Sequence, residues 1–289
     1  MSITRVLVLV CVLASASWIG SSGFAVAEIV TESKHVELTD ETDVYFEVDF
    51  GLGELTITSG SSDTIIAAEG VFDDEYFEYE FDYRKRNRSG DLYFDISDRN
   101  RNWDDIDTED NEWTFMLSNS VPFDLSLDVG AAACDFELGG LMLSRMDLNI
   151  GAADCEISFD TPNLTELEMF SIDAGASSIT ISELGNANFR ELEFSGGVGS
   201  CEIDFSGEFE FDGEAEISIG LGSADITIPD HVGVRIYYED EFLSSVDIPR
   251  KGFTEVRRDC YESDNWDTAK GHLEIRLDVG LGSVDIRVR

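Results

Sequence analysis

The sequence has 289 residues and a formal net charge of −42 at pH 7, with 61 acidic residues against 19 basic residues. Hydrophobic residues make up 43% of it, which is too many for a disordered acidic tail and indicates an ordered core beneath an acidic surface. Because contacts with phosphate groups require clustered Lys and Arg, the composition argues against nucleic acid and anionic lipid surfaces as partners. Divalent cations, salty surroundings and a basic partner surface remain possible.

Residues 1–27 have the pattern of a secretory signal peptide. Arg5 precedes the apolar run Val6–Leu13, and Ala25–Ala27 supplies the small residues that a signal peptidase needs. The apolar run is too short to span a membrane, and no later stretch is long and apolar enough. We therefore predict an exported protein, periplasmic or extracellular, with no transmembrane span in the mature chain.

Residues 28–120 read as a less regular N-terminal β region. It contains one glycine-centred unit, Val48–Ile57, and then two alternating segments, Phe77–Tyr83 and Leu92–Ile96, separated by the turn Asn87–Gly90. Alternation on both sides of a turn predicts an antiparallel β-hairpin. Such a hairpin would cap the repeats that follow it, whose end would otherwise present unpaired backbone groups.

Residues 121–289 carry a repeat of about 22 residues, interrupted by an insertion at 250–271. The glycine of each copy, including the one in the N-terminal region, is Gly51, Gly130, Gly151, Gly175, Gly197, Gly220 or Gly280. A fixed period of this length marks a solenoid, and apolar residues alternate on both sides of the glycine as in strands with one buried face. The predicted fold is all-β: a parallel β-helix-like solenoid with an N-terminal β-hairpin region.

The repeat leads to two further expectations about its glycines and its end. Each repeat glycine should have a positive φ, which a side chain would resist. The copy LDVGLGSVDI, Leu277–Ile286, should be the last coil of the stack, after a degenerate copy at Phe242–Ile248. Arg287 and Arg289 would then lie on the final strand, where their charges would discourage edge-to-edge pairing.

Four segments carry a resemblance to known families. They read VYFEVDFGLGELTI, NEWTFMLSNSVPFDLSLDVGAAACDF, ISIGLGSADITIPDHVGVRI and LEIRLDVGLGSVDIRVR. They resemble the bacterial toast-rack proteins and the related LiaF-like and adhesin-like families, with 28–120 similar to the toast-rack N-terminal part and 121–289 to the LiaF C-terminal or adhesin-like part. The resemblance implies a secreted or envelope-facing β-solenoid and no enzymatic activity. LiaF proteins carry membrane spans before this domain, whereas this chain begins with a signal-peptide pattern.

Acidic residues recur at two outward positions of the repeat, two residues before the glycine and five after it. The candidate calcium ligands in these columns are Asp128, Asp135, Glu156, Asp173, Glu202, Asp225, Asp278 and Asp285. Neighbouring exposed carboxylates repel by roughly 1 kcal/mol per pair, and Ca²⁺, which favours carboxylate oxygens, would offset this repulsion. The alternative is a solvated surface suited to salt. The loop Asp104–Asp110 is a second calcium candidate, with a flexible charged loop as its alternative.

Three cysteines share an inward column of the repeat: Cys134, Cys155 and Cys201. Cys134 and Cys155 fall on adjacent coils, where the Cα spacing permits a disulfide, and export makes one possible. The alternative is that all three pack as small buried apolar groups. Cys260, in the insertion, has no obvious partner.

Basic residues gather in two clusters outside the regular coils. One cluster is Arg84, Lys85, Arg86 and Arg88, and the other is Arg250, Lys251, Arg257 and Arg258. Either cluster could dock on the acidic face of a neighbouring copy and so permit self-association. The alternative is that they are solubilising turns.

No catalytic constellation is recognisable, since His35, His231 and His272 do not have the spacing of a metal-binding pair. We therefore predict a non-enzymatic envelope or surface protein, adhesin-like or an envelope-stress accessory, that binds a protein or glycan ligand on an acidic solenoid face. The alternative is a β-helix polysaccharide lyase or hydrolase using outer-face carboxylates. Two basic residues alone, Arg145 and Arg190, lie between Asn102 and Val234, which disfavours a lyase.

Overall fold

The computed structural model describes residues 29–99, 111–238 and 244–289. Both the predicted signal peptide and the candidate calcium loop at 104–110 lie outside these residues. The strands are β1 (Ile29–Glu37), β2 (Asp43–Ser59), β3 (Thr64–Asp73), β4 (Phe77–Arg86), β5 (Ser89–Asp98), β6 (Asn111–Leu117), β7 (Phe123–Glu137), β8 (Leu143–Ile150), β9 (Asp154–Ser158), β10 (Leu167–Ser182), β11 (Phe189–Asp204), β12 (Asp212–Ile228), β13 (Gly233–Tyr238), β14 (Ser244–Asp247), β15 (Phe253–Arg257), β16 (Cys260–Ser263) and β17 (His272–Val288). One short 3-10 helix, Leu184–Ala187, lies between β10 and β11.

Each coil of the stack has a first leg before the repeat glycine and a second leg after it. Most coils are one strand that continues through the glycine, whereas the coil at Gly151 is divided into β8 and β9. Neighbouring coils pair in parallel and in register, from β2 through β7, β8 and β9, β10 and β11 to β12. The predicted all-β solenoid is therefore confirmed.

The inward residues of both legs form one apolar core. In β17, for example, Leu277, Val279, Val284 and Ile286 are at most 7% exposed, as the alternation predicts. Burying a side chain of this size contributes about 1.5–3 kcal/mol. At the N-terminal end the core becomes aromatic, and Trp113 packs between Phe72 and Phe94 with ring-centroid distances of 5.8 and 4.6 Å.

The order of the coils in space departs from their order in the sequence at the C-terminal end. Strand β17 lies between β12 on one side and β13 and β14 on the other, and β14 belongs to the degenerate copy. The prediction that Leu277–Ile286 is the last coil is therefore wrong. The reason is length, because β17 pairs with β12 from His272 to Val288, whereas β13 and β14 have only six and four residues. Arg287 consequently lies on an interior strand and contacts Asp225 and Asp285.

Both ends of the stack change from parallel to antiparallel pairing. At the N-terminal end, β2 pairs through its first leg with β5, which forms the predicted hairpin with β4, and through its second leg with β6, which is followed by β3 and β1. At the C-terminal end, β13 pairs antiparallel with β16, and β16 with β15. The domain boundary between residues 120 and 121 stays a prediction.

The repeat glycines are needed for a close approach between coils. A Cβ at Gly130 would lie 2.3 Å from the carbonyl oxygen of Gly51, and the same contact in the next five copies would be 2.5–2.8 Å. The predicted positive φ is wrong for this column, since none of its glycines has one. Positive φ belongs instead to the glycine two residues later, as at Gly53 (129°), Gly199 (148°) and Gly222 (154°).

This contact predicts a difference between two glycines of the same column. Gly130→Ala should destabilise the fold by about 1–3 kcal/mol, the usual range for overpacking, because the backbone of Gly51 must move. Gly51→Ala is the matched control, since its Cβ would meet nothing closer than the Ile96 oxygen at 3.6 Å. Urea unfolding of both variants measures the difference, and equal losses would contradict the close-contact explanation.

Candidate functional site

An unbroken line of four carboxylates crosses the first legs at the N-terminal end of the stack. It consists of Glu80 on β4, Asp95 on β5, Asp49 on β2 and Asp128 on β7, and is called here the N-terminal acidic row. Register pairing places each residue directly beside the next. Adjacent strands in a sheet are about 4.8 Å apart, so these carboxylates line up at about that spacing.

Like charges within this row disfavour ionisation. Burial, and then the charge of Asp128, raise the pKa of Asp49 above its ordinary value of 3.8. The pKa of Asp95 is raised by burial and then by the charges of Asp49 and Glu80. Within the described residues, no ion pair joins any member of the row to a Lys, Arg or His. The row is therefore an uncompensated negative charge on an open sheet face.

Two tyrosines lie on the same outward face as this row. Tyr45 is two strand positions from Glu47 and four from Asp49, and it is 38% exposed. Tyr93, on β5, is the register partner of Glu47 on β2. Burial is the main cause that raises the pKa of both phenols, which keeps them protonated. Carboxylates beside aromatic rings form a surface that suits cations, because ring faces also attract positive charge.

The predicted first-leg ligands do not form a continuous line with one another. Asp128 is followed by Asn149, and Asp173 lies between Asn149 and Ser195. Asp278 adjoins Ser218 on β12. Neutral side chains thus separate these three carboxylates along the column.

The predicted second-leg ligands are brought together in two groups. Asp135 and Glu156 are register partners. Glu202, Asp225 and Asp285 follow one another across β11, β12 and β17. Here a cation is present, since Arg287 lies 2.6 Å from Asp225 and 3.1 Å from Asp285. The second column is therefore partly neutralised at its C-terminal end.

These columns do not converge on a metal centre. Within residues 29–99, 111–238 and 244–289, no group of three or more His, Cys, Asp or Glu side chains is arranged to hold a metal ion. A column offers one carboxylate per coil along a line, whereas Ca²⁺ takes six to eight oxygen ligands. The calcium ladder stays a prediction.

The cysteine column lies inside the core. Cys134 and Cys155 are register partners, both are buried, and both are free thiols in this structure. A hydrogen bond with Cys134, followed by burial, raises the pKa of the Cys155 thiol, and burial raises that of Cys201 to about 12. Thiols that resist ionisation react slowly, which favours their packing as small apolar groups. The disulfide between Cys134 and Cys155 stays a prediction.

The first basic cluster is engaged with its own chain. Lys85 pairs with Asp40 and, at 2.9 Å, with Glu41. Burial alone would raise the pKa of Glu41, but hydrogen bonds from Lys85, Thr39 and Tyr83 lower it to about 2. The other members make contacts of the same kind: Arg84 with Asp82, Arg86 with Asp91, and Arg88 with the backbone oxygen of Asp40.

Together, the fold and this face define an all-β solenoid protein with an acidic outer surface. The family profile described as the N-terminal domain of toast_rack, DUF2154, matches residues 25–182, which is more than half of the chain. The chain belongs to this family, which confirms the toast-rack resemblance. No helix in the described parts of the chain is long and apolar enough to cross a bilayer.

Solved structures match this chain at low sequence identity and with TM-scores below 0.5. One is described as a candidate cell adhesion protein from Clostridium sporogenes, at 16% identity and a TM-score of 0.47, covering 91% of this chain and all of that one. Another is described as a candidate adhesin from Bacteroides fragilis, at 10% identity and a TM-score of 0.33, covering 89% of this chain and 96% of that one. Curated proteins contain no match to this sequence.

The raised pKa of Asp49 predicts a pH-dependent gain from removing its charge. Ionised Asp49 opposes folding above its folded-state pKa, and this penalty disappears as the pH falls and the group becomes protonated. Asp49→Asn should therefore increase the free energy of unfolding at pH 7 by on the order of 0.5 kcal/mol, and by less as the pH approaches 4. The gain is measured as a higher thermal midpoint.

Asp173→Asn provides the matched control, because it removes the same charge from the same column beside neutral neighbours. Thermal unfolding of the two variants at pH 7, 5.5 and 4 gives the comparison. A gain from Asp49→Asn that does not change with pH would refute the electrostatic explanation.

Proposed function

We propose that this protein is an exported, non-enzymatic protein of the cell envelope or cell surface that binds a cationic surface ligand through its N-terminal acidic row. The observation that carries the proposal is the row itself: four adjacent carboxylates on a flat sheet face with no compensating cation among the described residues. The export step is supported by the signal-peptide pattern of residues 1–27.

A basic partner would reduce the repulsion between the carboxylates of the row, which lowers the stability of the fold. Two of the four carboxylates, Asp49 and Asp95, have raised pKa values, first because of burial and then because their neighbours repel their charge. A Lys or Arg side chain placed over the row would favour ionisation and replace repulsion by attraction. The negative field of the whole chain would also increase the rate at which such a partner arrives.

The two tyrosines add a feature that a purely solvated acidic surface does not need. Tyr45 and Tyr93 flank the row with half-buried rings, and residues with an apolar body and a polar tip are enriched at interfaces. A ligand that combines cationic groups with flat or apolar parts would contact both. A basic protein segment or an amino-bearing glycan has this chemistry.

An octalysine peptide, titrated calorimetrically into the purified protein at about 150 mM salt, tests the location of the site. The triple variant Asp49→Asn, Asp95→Asn, Asp128→Asn should weaken binding by about tenfold or more, since it removes three of the four charges of the row.

The control is the triple variant Asp135→Asn, Glu156→Gln, Glu202→Gln, which makes the same change in net charge on the second legs. It should change the affinity by less than about threefold. If both triple variants weaken binding equally, the peptide responds to net charge alone and the proposed site is wrong.

Weak calcium binding at the second-leg column is retained as a separate proposal, supported by the adjacent carboxylates Asp135 and Glu156. About 5 mM CaCl₂ should raise the thermal midpoint by ~2–4 °C, which corresponds to ~1 kcal/mol for a chain of this size. MgCl₂ should have less effect, because Mg²⁺ demands stricter octahedral geometry. An unchanged midpoint, or an equal shift in the variant Asp135→Asn, Glu156→Gln, would contradict calcium binding there.

A further inference from the structure

A cleft of about 480 Å³ lies at the C-terminal end of the stack, far along the chain from the acidic row. This volume is within the range of small-molecule sites. The apolar part of its wall comes from Ile228, Pro229, Val232, Val234, Pro249, Phe253 and Val288. Its polar part is supplied by Asp230, Lys251, Ser263, Asp264, Asn265 and Arg289.

Hydrogen bonds fix the segments that form the cleft. The Asp264 N–H donates to the Gly252 oxygen at 2.9 Å, and the Asp230 N–H donates to the Arg289 oxygen at 2.8 Å. The Asn265 side chain donates to the Asp230 and Val232 oxygens at 3.2 and 3.0 Å. The four wall segments are therefore joined to one another, and the cleft is a preformed feature of the fold.

Cationic side chains that lack an ion-pair partner are concentrated at this cleft. Within the described residues, the Lys and Arg side chains make an ion pair, a hydrogen bond or a ring contact at every position but three. The three exceptions are Arg250, Lys251 and Arg289, and two of them line the cleft. In a chain with 61 acidic residues, cations without acidic partners are unexpected.

The carboxylates of Asp230 and Asp264 also lie at the cleft, and both residues are exposed at its rim. Neither makes an ion pair with Lys251 or Arg289 within 4.0 Å. The two cations are thus available to a bound group, while the rim carboxylates disfavour ligands that carry more than one negative charge.

We propose that this cleft binds a small amphipathic anion, with an alkyl or aryl body against the apolar wall and one anionic head group at Lys251 and Arg289. The apolar wall, which includes the buried residues Val232 and Val234, would exclude water from the body of the ligand. A charge-assisted hydrogen bond to Lys or Arg is about twice as strong as a neutral one, so the head group orients the ligand.

Calorimetric titration of the purified protein with octanoate and with octylphosphonate tests the proposal and distinguishes a carboxylate from a phosphate-like head. At least one of them should bind with one-to-one stoichiometry, and 1-octanol and octylammonium should bind at least about tenfold more weakly. Failure of both anions to bind at about 1 mM, or equal binding of the neutral or cationic analogue, would overturn the proposal.

Variants locate the site. Lys251→Gln with Arg289→Gln should weaken binding of the anion by about tenfold or more, and Phe253→Ser should weaken it by removing apolar contact. Arg258→Gln is the matched control, since this arginine is in the same insertion and pairs with Asp259. An unchanged affinity in the double variant would refute the site. If the double variant has a lower thermal midpoint than the unchanged protein, the affinity of the single variant Lys251→Gln, at an exposed position, is the test instead. An unchanged affinity in that variant would refute the site.

Light scattering after gel filtration distinguishes the binding of a small anion at the cleft from self-association through the same cations. If the cations served a contact with the acidic face of another copy, the double variant would lower the particle mass, and the small-ligand proposal would be wrong. The outcome does not depend on the acidic row, whose own triple variant leaves the cleft intact.

Discussion

The close approach of backbone at the repeat glycine is the constraint on which the whole stack depends. At each step the position of a missing side chain is occupied by the carbonyl oxygen of the coil before it, within 2.3–2.8 Å. A coil displaced by one residue would put a side chain into that oxygen. It would also turn its apolar residues outward, because successive residues of a strand face opposite sides. The glycine and the core therefore specify the same register, and each reinforces the other.

The same register that aligns the core also aligns the charges outside it. A regular repeat places equivalent outward residues side by side, so an acidic position becomes a line of carboxylates. In the middle and C-terminal coils the chain relieves this repulsion with Asn149, Ser195 and Ser218 in one column and with Arg287 beside the other. At the N-terminal end it does not. That difference distinguishes the N-terminal acidic row from the rest of the acidic surface.

The repeat period, the inward and outward positions and the β4–β5 hairpin could be predicted from the sequence because each depends on local alternation. The order of coils could not, because the pairing of β2 with both β5 and β7, and of β17 with both β12 and β13, joins segments far apart in the chain. For this reason the sequence does not indicate that Asp95 and Glu80 are neighbours of Asp49. The alternating hairpin contained these residues, but no periodicity indicates which coil the hairpin adjoins. Contacts between backbones likewise leave no pattern in the sequence, so the sequence suggests a positive φ for the repeat glycines and does not show the close approach that requires them.

The antiparallel strand pairs at both ends give the solenoid a finite length. A stack of parallel coils has no intrinsic end, because the unpaired backbone groups of its outermost coil can pair with one more parallel coil, as in a fibril. Here the reversal of strand direction at β5–β4, at β6–β3 and at β13–β16 breaks that equivalence. The length of the stack is therefore set by its number of coils. Duplication or loss of one repeat between the ends would change that length by one strand spacing and leave both ends unchanged.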